Sequence, residues 1–344
     1  MPPTLPNSFV GQKSILRQIV LPANSQTAWG TPVAADALVY ALRYDISGYA
    51  KFAQPKESTY GQAGATNSFA GENWTVAHKS ALEIGGFGDV WTLGWLLAFV
   101  MGKEVAVPGT GPLVGLSTHT FNFLDAGTIA QATTVYCQDT DDLAYQLVDM
   151  GISQLTITST STGALKFKAS LMGTGRVVDG ILPGMPSPSA IQKLYGSDTQ
   201  VALGVAGGAL TSFYPRVKSW ELTIDAGMAE ERPAGSGLYA SHLTISMSKV
   251  KLKMVIAANG TDDIHGWKRA GTMLGATLTT TSGICSMVLT FPNFTLDENC
   301  GLSESNGTSV WTLDLGETDI LQIGATPLLT ASVISPAPSY LELA

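Results

Sequence analysis

The chain is poor in charge, in cysteine and in long apolar runs, and each shortage excludes something. Only 13% of its 344 residues are charged, about half the usual share. A surface so poor in charge is covered by Ser, Thr, Asn, Gln and Gly, or hidden against other chains. Basic residues are the scarcer sign, 19 against 27 acidic, for a net charge of −8. That balance argues against gripping nucleic acid by phosphate neutralisation. Nine basic and twelve acidic residues precede Gly175, and ten and fifteen follow it, so no basic tail hides in the total. The three cysteines, Cys137, Cys285 and Cys300, are odd in number and far apart. They offer no CxxC-type zinc site and no disulfide framework, which favours a reducing compartment. The most apolar segment, Val90–Met101 (VWTLGWLLAFVM), has 12 residues, where about 20 cross a bilayer. No secretory signal is read in Met1–Val20. The Asn-x-Ser/Thr sequons at Asn73, Asn259, Asn293 and Asn306 read as chance in a Ser/Thr-rich chain.

What is present is a β-rich composition. Hydrophobic residues make up 45%, enough for a substantial core, and 37 Gly with 17 Pro supply many turns. Ile152–Thr158 alternates, and after a turn at Ser159–Gly163 so does Ala164–Leu171. Leu165, Phe167, Ala169 and Leu171 point one way, and Lys166, Lys168 and Ser170 the other, as in a hairpin with one wet face. Trp220, Leu222 and Ile224 alternate, as do Leu243, Ile245 and Met247, then Val250, Leu252, Met254 and Ile256, with Lys251 and Lys253 outward. Gly283–Phe291 and Val310–Leu315 are further strands.

Two segments have helical spacing instead. Asp89–Gly102 is apolar on nearly every side, which requires burial all round. Asp262–Leu274 opens on two acids, read as capping groups, but carries two internal glycines. Gly173–Pro215, with GTG, PGMPSPS and GVAGG, reads as a connector of little regular structure. Each half therefore runs strands, a helix introduced by Asp, then strands ending in a hairpin, the order of a duplication.

Catalytic signatures are absent: there is no G-x-S-x-G, no G-x-x-x-x-G-K-[ST], no H-E-x-x-H and no EF-hand loop. His78, His119, His242 and His265 are scattered singly. The acids Asp139, Asp141, Asp142 and Asp149, and the pair Glu230 and Glu231, read as solvated turn residues rather than a hydrolytic pair. Trp91, Trp95, Trp220, Trp267 and Trp311 lie in periodic segments, as core residues do. The reading is of a protein that is not an enzyme and needs no cofactor or metal.

The order of segments resembles the tail tube proteins of long-tailed bacteriophages. The resemblance is carried by SQTAWGTP (Ser25–Pro32), FGDVWTLGWLLAFVMG (Phe87–Gly102) and the stretch His119–Thr158. It continues through ALKFKASLMG (Ala164–Gly173), YPRVKSWELTID (Tyr214–Asp225) and NGTSVWTLDL (Asn306–Leu315). The second helix departs from strict repetition, being more polar than the first. The resemblance implies a mainly β fold of two tandem β-barrel or sandwich domains, each with one flanking α-helix. Residues 1–175 would form the first domain with an N-terminal arm and stacking loop, 176–213 a connector, and 214–344 the second with a C-terminal extension. It further implies trimeric, pseudo-hexameric rings stacked into a hollow, non-contractile virion tail tube, assembled in the host cytoplasm. The implied partners are other copies, a tape measure protein inside the tube, tail terminator and tip proteins, and double-stranded DNA that passes without sticking; no membrane is involved.

Within that reading Asp139, Asp141, Asp142, Glu230 and Glu231 are candidate lumen acids, repelling phosphates. Lys56, Tyr60, Gln62, Asn67 and Phe69 are candidates in an inter-ring stacking loop within Gln54–Asn73. The arm Met1–Ala23 and the tail Pro327–Ala344 are further stacking segments, expected to be weakly structured. Trp91, Leu93, Trp95, Leu97 and Phe99 mark the buried helix. The alternative from another class is a surface carbohydrate-binding or adhesin β-protein of a virion or cell.

Overall fold

The computed structural model describes residues 18–22, 25–33, 38–42, 51–53, 56–61, 69–75, 77–140, 143–179 and 193–341. Along the chain come β1 (Gln18–Pro22), β2 (Leu38–Leu42), β3 (Lys51–Ala53), β4 (Lys56–Gly61), β5 (Phe69–Thr75), β6 (Lys79–Phe87) and α1 (Val90–Met101). Then follow β7 (Gly102–Pro108), β8 (Ser117–Phe123), β9 (Thr133–Thr140), β10 (Leu143–Thr160), β11 (Lys166–Gly173) and β12 (Val177–Asp179). The later part holds β13 (Thr199–Val205), β14 (Thr211–Ser212), β15 (Val217–Asp225), β16 (Met228–Glu231), β17 (His242–Ile245), β18 (Lys249–Ala257) and α2 (Ile264–Ala270). It ends with β19 (Leu274–Ser282), β20 (Cys285–Phe294), β21 (Gly301–Ser305), β22 (Thr308–Leu315) and β23 (Thr330–Ser335). The fold is mainly β, with two helices among the described residues.

The larger sheet contains an unbroken antiparallel series, β3-β6-β11-β10-β15-β18-β22-β21. It is one four-strand unit used twice, with β3, β6, β11 and β10 in the places of β15, β18, β22 and β21. In both units a two-stranded ribbon (β4–β5, β16–β17) interrupts the first pair, and a helix follows the second strand. A hairpin in the other sheet (β7–β8, β19–β20) comes next. The N-terminal part of β10 branches away to pair β9 and β12, and β1 and β2 continue beyond β9. In the second sheet, β14-β13-β19-β20-β23-β8-β7, the repetition breaks, because the single strand β23 lies between the two hairpins. Both sheets take strands from both halves, and one continuous core reaches from Leu82 to Leu341.

The larger sheet turns an alternating apolar face inward. Leu155, Ile157, Leu165, Ala169, Leu222, Ile224, Leu252, Met254 and Leu315 are all fully buried. That face carries α1, whose limits are set by its caps. Asp89 accepts hydrogen bonds from the Thr92 backbone N–H and hydroxyl, each at 2.8 Å, and Gly102 closes the helix at φ +81°. Leu93, Leu97 and Phe99 are fully buried and Trp95 nearly so, while Trp91 is half-buried at the rim. The covering comes from the chain itself, including Ala337, Tyr340 and Leu341 near its C-terminus.

Three expectations are corrected. The connector is not irregular throughout: β13 lies within it and pairs β19 over seven residues, with Val201 and Leu203 buried. Its period-two alternation was masked by flanking Gly and Pro. The second helix is shorter than Asp262–Leu274, because Gly271 at φ +59° terminates it and Leu274 opens β19. Asp263 sits at the N-cap position without a side-chain capping bond. Asp262 instead accepts Arg216 in bidentate fashion at 2.8 and 2.9 Å, with the Asn259 N–H and Trp311 Nε1.

Gly94 in α1 lies against the Tyr340 phenol, where a Cβ would overlap its ring and hydroxyl. Alanine in an open helix interior would stabilise by about 1 kcal/mol, yet here crowding dominates. Gly94→Ala is expected to destabilise the protein by about 1–3 kcal/mol in urea unfolding. A more stable variant would contradict this packing.

Candidate assembly surface and polar sheet face

The expected lumen acids that the structure describes lie on two different elements. Asp139 lies on β9, and Asp141 and Asp142 fall outside the described residues. Glu230 and Glu231 lie in the separate β16–β17 ribbon. Glu230 is mostly buried and neutralised, with Arg232 Nη2 at 2.8 Å and Lys79 Nζ at 3.8 Å. Glu231 is exposed and accepts the Thr244 hydroxyl at 3.1 Å. Of the expected stacking residues, Lys56 and Tyr60 are on β4 and Phe69 opens β5, where it pairs with Gly61. Gln62 and Asn67 fall outside the described residues.

Of the tail Pro327–Ala344, residues 327–341 are described and are not weakly structured, which corrects a further expectation. Alternating Ala331, Val333 and Ser335 seat β23 within the second sheet. Residues 337–341 are then locked by a buried carboxylate. Glu104 on β7 accepts hydrogen bonds from His119 Nδ1 (2.7 Å), Ser339 Oγ (3.0 Å) and the backbone N–H groups of Tyr340 and Leu341 (2.9 and 2.8 Å). The other His119 nitrogen lies 3.0 Å from the Ala337 carbonyl. Burial pushes the Glu104 carboxyl up, but the bonds from His119, Leu341 and Tyr340 and the His119 charge outweigh it, so it sits below its ordinary 4.5.

A second buried carboxylate organises Ser25–Pro32. Asp149, fully buried at φ +61°, accepts Gln26 Nε2 (2.9 Å), the Gly30 N–H (2.6 Å), Thr174 Oγ1 (2.7 Å) and Arg176 Nη1 (2.6 Å). Gln26 Oε1 in turn accepts the Asp149 N–H at 2.8 Å. The sequence reading grouped Asp149 with solvated acids; its partners lie up to 123 residues away, so only the fold reveals its role.

The larger sheet turns its other face outward, and that face is polar and largely self-neutralised. Lys166 and Lys168 on β11, Glu221 on β15, and Lys249, Lys251 and Lys253 on β18 are exposed, with Gln154, Thr156, Thr158 and Thr160 along β10. Lys168 meets Glu83 at 3.4 Å, Lys249 and Lys251 meet Glu317 at 2.8 and 3.0 Å, and Lys253 meets Asp314 at 3.0 Å. Exposed pairs of this kind stabilise a fold little. Their consequence is a face with few cations left unmatched. The outward lysines were legible as period-two residues, but their partners come from strands distant in sequence.

At its two ends the eight-strand series has open edges: among the described residues β3 pairs only β6, and β21 pairs only β22. The fold is thus a two-layer β structure in which a four-strand unit recurs, with a largely neutralised polar face. A family model described as phage tail tube protein matches residues 26–333, and the chain belongs to that family. It is a structural protein of the virion tail, and the family implies self-assembly into a tube. No curated protein matches the chain.

The Glu104 lock has a pH signature. A carboxyl depressed in the folded state contributes stability above its unfolded value near 4.5, lost as pH falls through the lower folded value. Glu104→Gln is expected to lose about 2 kcal/mol at neutral pH and to show a flatter acid limb in stability against pH. An acid limb as steep as that of the unaltered protein would contradict this role.

Proposed function

We propose that the protein polymerises into rings stacked as a hollow tail tube, through which double-stranded DNA passes. The observation that carries this reading is the twice-used four-strand unit, which among the described residues leaves an open edge at each end of the eight-strand series. A head-to-tail contact between such edges either closes into a ring or continues as a filament. Three chains would place six equivalent units around a ring, so the reading is of trimeric, pseudo-hexameric rings, with residues 1–175 and 214–344 as the two tube-type repeats.

Hollowness decides which face lines the bore. One face of the larger sheet is covered by α1 and the second sheet. If that face pointed inward, the second layer would fill the bore, so the polar face is the lumen wall. DNA adheres where lysines meet phosphates and release counterions. The Lys168–Glu83, Lys253–Asp314 and Glu317-centred pairs suit passage without adhesion. The finer reading adds a non-contractile tail assembled in the host cytoplasm, a tape measure protein in the bore, and terminator and tip proteins at the ends. The segment Tyr60–Ser68, between β4 and β5 in sequence, supplies ring-to-ring contact.

Negative-stain electron microscopy across a concentration series is expected to show hollow rods of uniform width or threefold rings. Discrete particles that bind glycan at every concentration would favour an adhesin instead. Deleting Tyr60–Ser68 is expected to leave the β-rich circular dichroism spectrum intact while abolishing rods. Normal rods from that deletion would remove the segment from stacking.

A further inference from the structure

The chain contains one complete seam between repeat units, where β10 meets β15, and two halves of another. Strands β6 and β18 set the correspondence. Both have nine residues, begin with an exposed lysine (Lys79, Lys249) and bury their second, fourth and sixth positions. Matching Lys79 to Lys249 carries every neighbouring pair across. Thr156 is opposite Lys168, which is opposite Gly85; Gly301 is opposite Thr312, which is opposite Val255. Gly85 and Val255 match, so Gly301 stands in the place of Thr156. In the same way Thr223 is opposite Lys251 and Lys51 is opposite Ala81, so Lys51 stands in the place of Thr223. Within the chain Thr156 and Thr223 face each other, their hydroxyl oxygens 3.3 Å apart.

We propose that β21 of one copy pairs antiparallel with β3 of the next, with Gly301 opposite Lys51. The β4–β5 ribbon of that second copy lies along residues 295–300 of the first. This rests on the tube reading and names the contact that closes its rings. Two independent features support it. Leu302 occupies the place of Ile157, yet it is 54% exposed where Ile157 is fully buried, as expected of a residue whose neighbouring strand belongs to another copy. The ribbon β16–β17 already crosses the internal seam. Its Ile245 carbonyl accepts the Gly127 N–H (2.7 Å), its Ile245 N–H donates to Thr128 (3.0 Å), and its Leu243 carbonyl accepts the Ala130 N–H (2.9 Å). The loop after β8 that receives it corresponds in order to residues 295–300 after β20.

A Cβ at Gly301 meets nothing within 4 Å, so cysteine is tolerated there. The test uses the full chain as Lys51→Cys, Gly301→Cys and the double variant, assembled under reducing conditions and then oxidised or treated with a short bis-maleimide. Directly opposed strand residues have Cβ atoms about 4.5–5.5 Å apart. The double variant is expected to give covalent oligomers on a non-reducing gel, and each single variant none beyond the background of the native cysteines. Rods that form normally while the double variant cross-links no more than the singles would overturn this seam and leave the tube reading intact. Absence of rods or rings from the unaltered chain would overturn both.

Discussion

A β-strand has two edges, and every backbone N–H and C=O along them needs a partner. In this protein the eight-strand series of the larger sheet satisfies that demand internally for six strands in a row and, among the described residues, ends with β3 on one side and β21 on the other. In the proposed tube, what one chain leaves open is met by another copy of the same chain. The internal β10–β15 seam is the template for that proposed contact, with antiparallel pairing continuous over seven residues.

The remainder of the molecule holds that sheet in a fixed shape. The all-apolar α1 needs cover on every side and receives it from both sheets and from the C-terminal segment. Two buried carboxylates fix the loose ends. Asp149 gathers Ser25–Pro32 and Arg176, and Glu104 with His119 ties residues 337–341 across β7 and β8. A buried acid with several donors is costly to expose or to leave half-satisfied, so each enforces one arrangement of the segments it joins. The low charge of the chain follows from the same plan, since one sheet face is core and the other is matched internally.

Much of this was legible where one local rule dominated. The helix Val90–Met101 was bounded by Asp89 and Gly102, and the alternation around Phe167, Leu222 and Leu252 assigned the buried face without knowledge of the partner strands. Legibility failed where distant segments decide. Strand β23 was hidden in a Pro-flanked tail, and β13 in a Gly-rich stretch, because their partners lie far along the chain. The Glu104–His119 contact depends on the β7–β8 register and on a tail more than 230 residues away. The lysines of β18 were read correctly as outward, but their pairing with Glu317 and Asp314 belongs to the folded sheet.

Amide hydrogen exchange, compared between free subunits and assembled tubes, tests the edge-pairing account most directly. Exchange at Gly301–Ser305 and Lys51–Ala53 is expected to slow sharply on assembly, while the β10–β15 seam is protected in both states. Tubes in which both edges exchange as fast as in the free subunit would contradict the account.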